Sequence, residues 1–240
     1  VGRRGLYEVP GFWGGDGRIE RGAARRADRV LCIGRGVAAR VGFPDAPLVP
    51  NGVDAGRFRP RGGPPGDPLV FGCATNVRRL EGLHLAARGW PPVPGAVFRL
   101  YGEGRGLRAL RSAPFDFRGR VPHAEMPARL AELDVYLLPS LTGPETDAVT
   151  RRKPIEAMAA GVPVCASDLG GHRHGETGWL FEAGDADAVA DACRTLARDE
   201  GLRARLAANA RAWVESERDW GRIVAVYDDI YALPSPAAMG

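Results

Sequence analysis

Lysine is almost missing from this chain: of its 33 basic residues, Lys153 alone is not arginine. With the richness in Ala, Gly and Pro, that skew reads as a GC-rich coding bias that uses Arg wherever any cation serves. The surviving Lys then marks a place where a compact ammonium suits better than a planar fork. Cysteine is scarce and unpatterned, with 4 residues and no CxxC or Cys/His ligand cluster. That argues against a zinc site and against a disulfide framework, and leaves the thiols as small hydrophobes in a reducing compartment. The pair His172-x-His174 lacks Cys or carboxylate partners set at a metal-ligand spacing and reads as part of a Gly-rich loop. Apolar runs of the ~18 residues that a membrane-spanning helix needs are lacking. The formal charge is +4 but unclustered, so no basic stripe for nucleic acid is present. Weak peripheral contact with an anionic membrane surface needs only a local patch and stays open. The chain opens Val1-Gly2-Arg3-Arg4 without Met, which reads as a fragment or a processed piece.

What is present is globular: 240 residues, 45% hydrophobic and 26% charged, enough for one or two domains and a sizeable core. Short apolar runs at residues 30–33, 48–50, 69–74, 97–101, 115–118, 135–139, 162–166 and 179–181 read as buried strands. Helical patterns lie between them at residues 18–27, 80–88, 106–112, 124–133, 153–160 and 185–198. Continuous apolar strands separated by helices predict βαβ units and a doubly wound α/β fold with a parallel sheet. Residues 200–231 read as helical. Residues 59–68 have the composition of a linker.

Open α/β sheets bind ligands beyond the carboxyl ends of their strands. Arg78 and Arg79 follow the strand at 69–74, just before a helix whose free N–H groups favour an anion. Taken alone they could equally be solvated surface residues. Tyr101-Gly102-Glu103-Gly104-Arg105-Gly106 is a Gly-rich turn that either admits a ligand or supplies positive φ. The strongest segment is Val149 to Val164, in which Lys153 and Glu156 share one face of a helix's first turn. A cation there can meet phosphate and a carboxylate can accept from a vicinal diol, the pairing that a sugar nucleotide presents.

Several motifs then occur in a fixed order: Asn51-Gly52-Val53-Asp54, Gly102-Glu103-Gly104, Gly119-Arg120-Val121-Pro122, Asp134-Val135 and Pro139-Ser140. They continue with Glu156-Ala157-Met158-Ala159-Ala160-Gly161-Val162-Pro163-Val164 and Gly175-Glu176-Thr177-Gly178. Together they resemble GT-B fold glycosyltransferases of family 4. Glu8-Val9-x-Gly11-Phe12-Trp13, Arg79-x-Glu81-Gly82-Leu83 and Val149-Thr150-x-x-Lys153-Pro154 resemble its members associated with exopolysaccharide assembly. The family's usual pair of glutamates eight apart would place the first at 148, which is Ala148 here; Glu145 lies nearby.

The resemblance implies a retaining transferase that uses a nucleotide-sugar donor, UDP-linked, and a saccharide, lipid-linked or natural-product acceptor, in the cytoplasm or at the inner membrane face. It implies catalytic roles for Arg79 and Lys153 on the leaving diphosphate, with no bound metal or other cofactor. Glu156 would hold the ribose, Arg120 and Val121 the base, with Gly104 and Arg78 also in the donor site. By the same likeness, residues 1–58 correspond to the end of an N-terminal acceptor domain and 59–216 to the nucleotide-sugar-binding Rossmann-like domain. Residues 217–240 correspond to a helix crossing back, then a tail. A nicotinamide oxidoreductase would use the same sheet but needs a GxGxxG after the first strand, where Gly72-Cys73-Ala74-Thr75-Asn76 stands. A non-catalytic nucleotide-sugar-binding module is the other alternative.

Overall fold

The computed structural model describes residues 6–9, 17–63, 66–88, 90–91, 93–143, 151–169 and 172–232, the last four without their side chains. Six parallel strands form the main sheet: β3 (Val70–Ala74), β4 (Val97–Tyr101), β5 (Phe115–Gly119), β6 (Val135–Leu138), β7 (Val164–Ser167) and β8 (Trp179–Phe181). Their spatial order is β5-β4-β3-β6-β7-β8, so the winding reverses between β3 and β6. Every residue of β3, β6 and β7 is buried, which is why they read as unbroken apolar runs. Helices α3 (Leu83–Arg88), α4 (Met126–Ala131), α5 (Arg152–Ala159), α6 (Ala186–Arg198) and α7 (Glu200–Glu217) connect and cover these strands. Asp185 caps α6 by accepting from the Asp187 and Ala188 amides at 2.8 and 3.1 Å, which offsets two of the donors a helix start leaves open.

A second, two-stranded parallel sheet pairs β1 (Leu6–Val9) with β2 (Arg29–Cys32), beside α1 (Arg18–Ala24) and α2 (Arg35–Val41). The strand expected at 48–50 is reduced to a single bridge between Leu48 and Cys32, because Pro47 and Pro50 flank it and proline donates nothing to a ladder. The helix expected at 106–112 is a 3-10 helix, Arg105–Leu110. The two halves of the chain are tied by segments lying side by side. Val53 donates to the Arg218 carbonyl at 2.9 Å and Trp220 to the Val53 carbonyl at 3.1 Å. Helix α8 (Trp220–Ala232) buries Ile223 with Leu31 and Val49, and the Tyr227 hydroxyl donates to Glu8 Oε2 at 2.8 Å. Arg211 on α7 donates to the carbonyls of Ala55, Phe58 and Ala159, so one guanidinium joins the connecting segment to the end of α5.

Residues 59–63 and 66–69 form no helix or strand. They are nevertheless anchored: Arg61 pairs with the buried Asp134 carboxylate, which also accepts from the Val70 amide at 2.7 Å. Asp134 is thus satisfied at the amino-terminal edge of the sheet, far from the ligand side by the logic of the fold. Among the described residues no helix is long and apolar enough to cross a membrane. The four cysteines are buried free thiols.

Candidate functional site

At the carboxyl ends of β3 and β4 the structure opens a cleft of about 390 Å³ lined by Thr75, Asn76, Tyr101, Gly102, Glu103, Arg120, Val121, Met126 and Lys153 among others. It sits next to the reversal of winding between β3 and β6, where this topology leaves a crevice. The loops around it brace one another. Thr75 donates to the Tyr101 carbonyl, Val77 to that of Glu103 and Gly106 to that of Val77, each at 2.9 Å. A Cβ on Gly104 would come within 2.3 Å of the Val77 carbonyl oxygen, so this glycine is required by the neighbouring loop. The expectation of close ligand approach is not needed to explain it.

Lys153 lies in the first turn of α5 and Glu156, expected beside it there, stands just past that turn on the same face, with Nζ 2.9 Å from Glu156 Oε2. The Glu156 side chain is only 2% exposed, while that of Lys153 is 32% exposed. The buried carboxylate therefore keeps one side of the ammonium, and the rest remains open to the cleft. An ammonium beside unpaired amides at a helix start attracts an anion.

Three residues contribute in roles that the sequence did not disclose. His123 places Nε2 3.2 Å from Glu156 Oε1. The buried Glu81 pairs with Arg151, the residue just before α5, and with Arg78 Nη2 at 3.5 Å. That pairing steers the start of α5 from the β3 side. Tyr101 donates its hydroxyl to Glu132 Oε2 at 2.7 Å. Burial, then the Glu132 carboxylate, pushes its phenol up to about 12, so it lines the cleft as a neutral group. Glu81 and Tyr101 did stand inside segments that the sequence singled out, the Arg79-x-Glu81 motif and the Gly-rich turn, whereas nothing in the sequence pointed to His123.

Of the expected site residues, Lys153, Arg120 and Val121 line one cleft. Glu156 and Gly104 lie behind that lining, Glu156 paired with Lys153 and Gly104 packed on the Val77 carbonyl. Arg120 is exposed and only loosely paired with Glu103, at 3.6 Å. Arg78 and Arg79 are exposed and fall outside the residues that line the cleft. Arg78 pairs with Glu81; Arg79 opens the 3-10 helix Arg79–Glu81. Neither stands directly before α3 as expected, because that short helix and Gly82 intervene. Glu145 and Ala148 lie outside the described residues.

The loop after β7 carries His172, whose ring meets Trp213 edge-on at 6.2 Å, with the Arg218 guanidinium 4.6 Å over the same indole. Burial, reinforced by the Arg218 charge, lowers His172 from its ordinary 6.5 to about 4. The unfolded chain thus takes up this proton first, so the contribution of His172 to stability is complete above pH 6.5 and is lost as pH falls toward 4. The full difference of one proton is worth about 1.4 kcal/mol per pH unit. Urea midpoints of the wild type and His172→Phe measured from pH 4 to 7 should converge at the acid end. Parallel curves would exclude His172 as the titrating group. His174 is engaged by its own loop: its Nδ1 accepts from the Leu180 amide at 3.1 Å.

Comparison with known proteins agrees with this architecture. The family described as "Glycosyl transferases group 1" matches residues 68–199. A GDP-mannose-dependent alpha-(1-6)-phosphatidylinositol monomannoside mannosyltransferase of Mycobacterium tuberculosis is 30% identical over 210 residues, 75% of this chain and 54% of that protein. The glycogen synthase of the same organism is 30% identical over 216 residues, 79% of this chain and 49% of that protein. The chain therefore spans about half the length of these curated relatives. Among solved structures, Anabaena HepE in complex with UDP-glucose superposes with a TM-score of 0.80 at 21% identity, over 95% of this chain and 72% of that one. The likeness establishes a GT-B type fold.

Proposed function

Because the chain belongs to the group 1 glycosyl transferases, we propose that it is the donor-binding part of a retaining glycosyltransferase of family 4, of the exopolysaccharide-type subgroup. It would move a sugar from a UDP-linked donor to a saccharide, lipid-linked or natural-product acceptor. In this reading residues 59–216 hold the donor and residues 1–58 belong to the acceptor side. Helix α8 ties the two, and the protein works in the cytoplasm or at the inner membrane face. The single observation that carries the reading is the Lys153–Glu156 pair, 2.9 Å apart, at the rim of a cleft beyond β3 and β4.

The chemistry divides among these residues by charge. Lys153, joined by Arg79, neutralises the diphosphate as the bond from the sugar's anomeric carbon to its oxygen breaks, where charge grows most in the transition state. Glu156 accepts from the ribose hydroxyls, and the backbone at Arg120 and Val121 meets the base. Arg78, held by Glu81, and Gly104, packed on the Val77 carbonyl, support the donor site from behind its lining. The acceptor oxygen attacks the same face that the diphosphate leaves, and the leaving phosphate takes the acceptor's proton. Charge neutralisation by these cations requires no bound metal.

The test is nucleotide binding. Glu156→Gln should weaken UDP and UDP-sugar alike by ~1.5–3 kcal/mol, the scale of a charged hydrogen bond, in calorimetric titrations of the chain. Unchanged affinity for both would return Glu156 to a structural role. UDP-, GDP-, ADP- and dTDP-glucose compared by thermal shift decide the base. GDP belongs in that series because the mycobacterial relative is GDP-mannose-dependent, whereas HepE was solved with UDP-glucose.

A further inference from the structure

His123 is an unusual kind of neighbour for a site carboxylate. Its side chain is 53% exposed, so it contributes little to the core. Yet its main chain and ring are both held: the His123 carbonyl accepts from Arg57 Nη2 at 2.9 Å, and the ring lies 6.2 Å from that of the buried Phe58. Ordering an exposed side chain costs rotamer entropy, and here the segment before the main sheet supplies that order. What the clamp presents is Nε2, 3.2 Å from Glu156 Oε1. An ionised carboxylate only accepts hydrogen bonds, so this nitrogen carries the proton.

Glu156 itself is nearly enclosed, with Lys153 on Oε2 at 2.9 Å and the exposed Arg152 no closer than 3.7 Å to Oε1. One strong contact would leave the carboxylate plane free to rotate about its last bond, since such torsions are broad. Two contacts, one on each oxygen, fix it. We propose that His123 is a positioning residue for Glu156: its Nε2–H holds Oε1 so that Oε2, beside Lys153, accepts from the vicinal diol of the nucleotide ribose. The role rests on the donor-site reading above, and it makes the connecting segment at Arg57 and Phe58 part of the support of the site.

The experiment is a double-mutant cycle read as UDP and GDP affinity by calorimetry, with thermal unfolding as a check on folding and Lys153→Ala as a control. His123→Ala should weaken nucleotide binding about tenfold in the wild-type background but less than about twofold when Glu156 is already Gln. His123→Gln, whose amide nitrogen reaches the place of Nε2, should stay within about threefold of wild type. Equal losses in both backgrounds would mean that His123 does not act through Glu156 and would overturn the proposal. So would a His123→Ala that unfolds earlier but binds normally. If Lys153→Ala weakens binding and His123→Ala does not, His123 alone is wrong. If neither nucleotide binds, or Lys153→Ala changes nothing, the donor-site reading fails and the positioning role falls with it.

Discussion

Lys153→Ala should lower kcat/KM for sugar transfer by ~2–4 kcal/mol, about 30- to 1,000-fold, the scale on which a single donor to a developing oxyanion acts. The substitution removes a cation from the cleft and one of the two close partners of the buried Glu156 carboxylate. Removing one partner of a buried pair costs about 3–5 kcal/mol when the charge left behind is uncompensated. Here His123 stays 3.2 Å away and the Lys153 side chain is 32% exposed, so the stability loss should be well below that range. The charge-conserving Lys153→Arg separates the two effects. A guanidinium can replace the pair with Glu156, but it spreads its charge over a plane and aims poorly at one oxygen. Its stability should therefore match wild type and its kcat should fall further than donor affinity. Steady-state kinetics beside urea melts decide this, and a fully active Lys153→Ala would end the proposed role.

Gly82→Ala should destabilise the fold by about 3 kcal/mol or more, the sum of a left-handed backbone cost near 1 kcal/mol and a severe overpacking term. Gly82 has φ +68°, and an added Cβ would stand 1.6 Å from the Pro139 carbonyl oxygen and 2.7 Å from its carbon. Neither atom belongs to a flexible side chain, so the loops after β3 and β6 must separate. Those loops are bonded directly, Leu141 donating to the Leu80 carbonyl at 2.9 Å, and they flank the reversal of winding. Nucleotide affinity should fall together with the unfolding midpoint. A variant that melts with wild type would show that the Pro139 carbonyl yields easily.

Much of the main sheet was legible in the chain itself. β3, β6 and β7 are covered on both faces, and that environment selects continuous apolar runs that stand out in any reading. The smaller sheet was legible only in part: β2 and α1 match the strand read at 30–33 and the helix read at 18–27, whereas β1 and α2 went unread. β1 is four residues long with an exposed Glu8, and α2 carries Arg35, Gly36 and Arg40 among its few apolar positions. Elements so short show too little periodicity to be separated from loops. Residues 48–50 carry the reverse lesson, since an apolar character shared with strands produced only one bridge.

For the site, the sequence by itself determined the pair that lies within one helical turn. Lys153 and Glu156 are three residues apart, and a 3.6-residue period puts them on one face whatever surrounds them. The solitary lysine and the ordered motifs likewise needed no coordinates. Only the tertiary structure decided which groups complete the site. His123 reaches Glu156 across 33 residues and Glu81 reaches Arg151 across 70. It also decided that Gly104 answers to the Val77 carbonyl and that Arg78 leans on Glu81 rather than on the cleft. The physical reason is the same in each case. Local periodicity is a property of the backbone helix alone, whereas a contact between two loops depends on how the sheet between them winds and where its strands end.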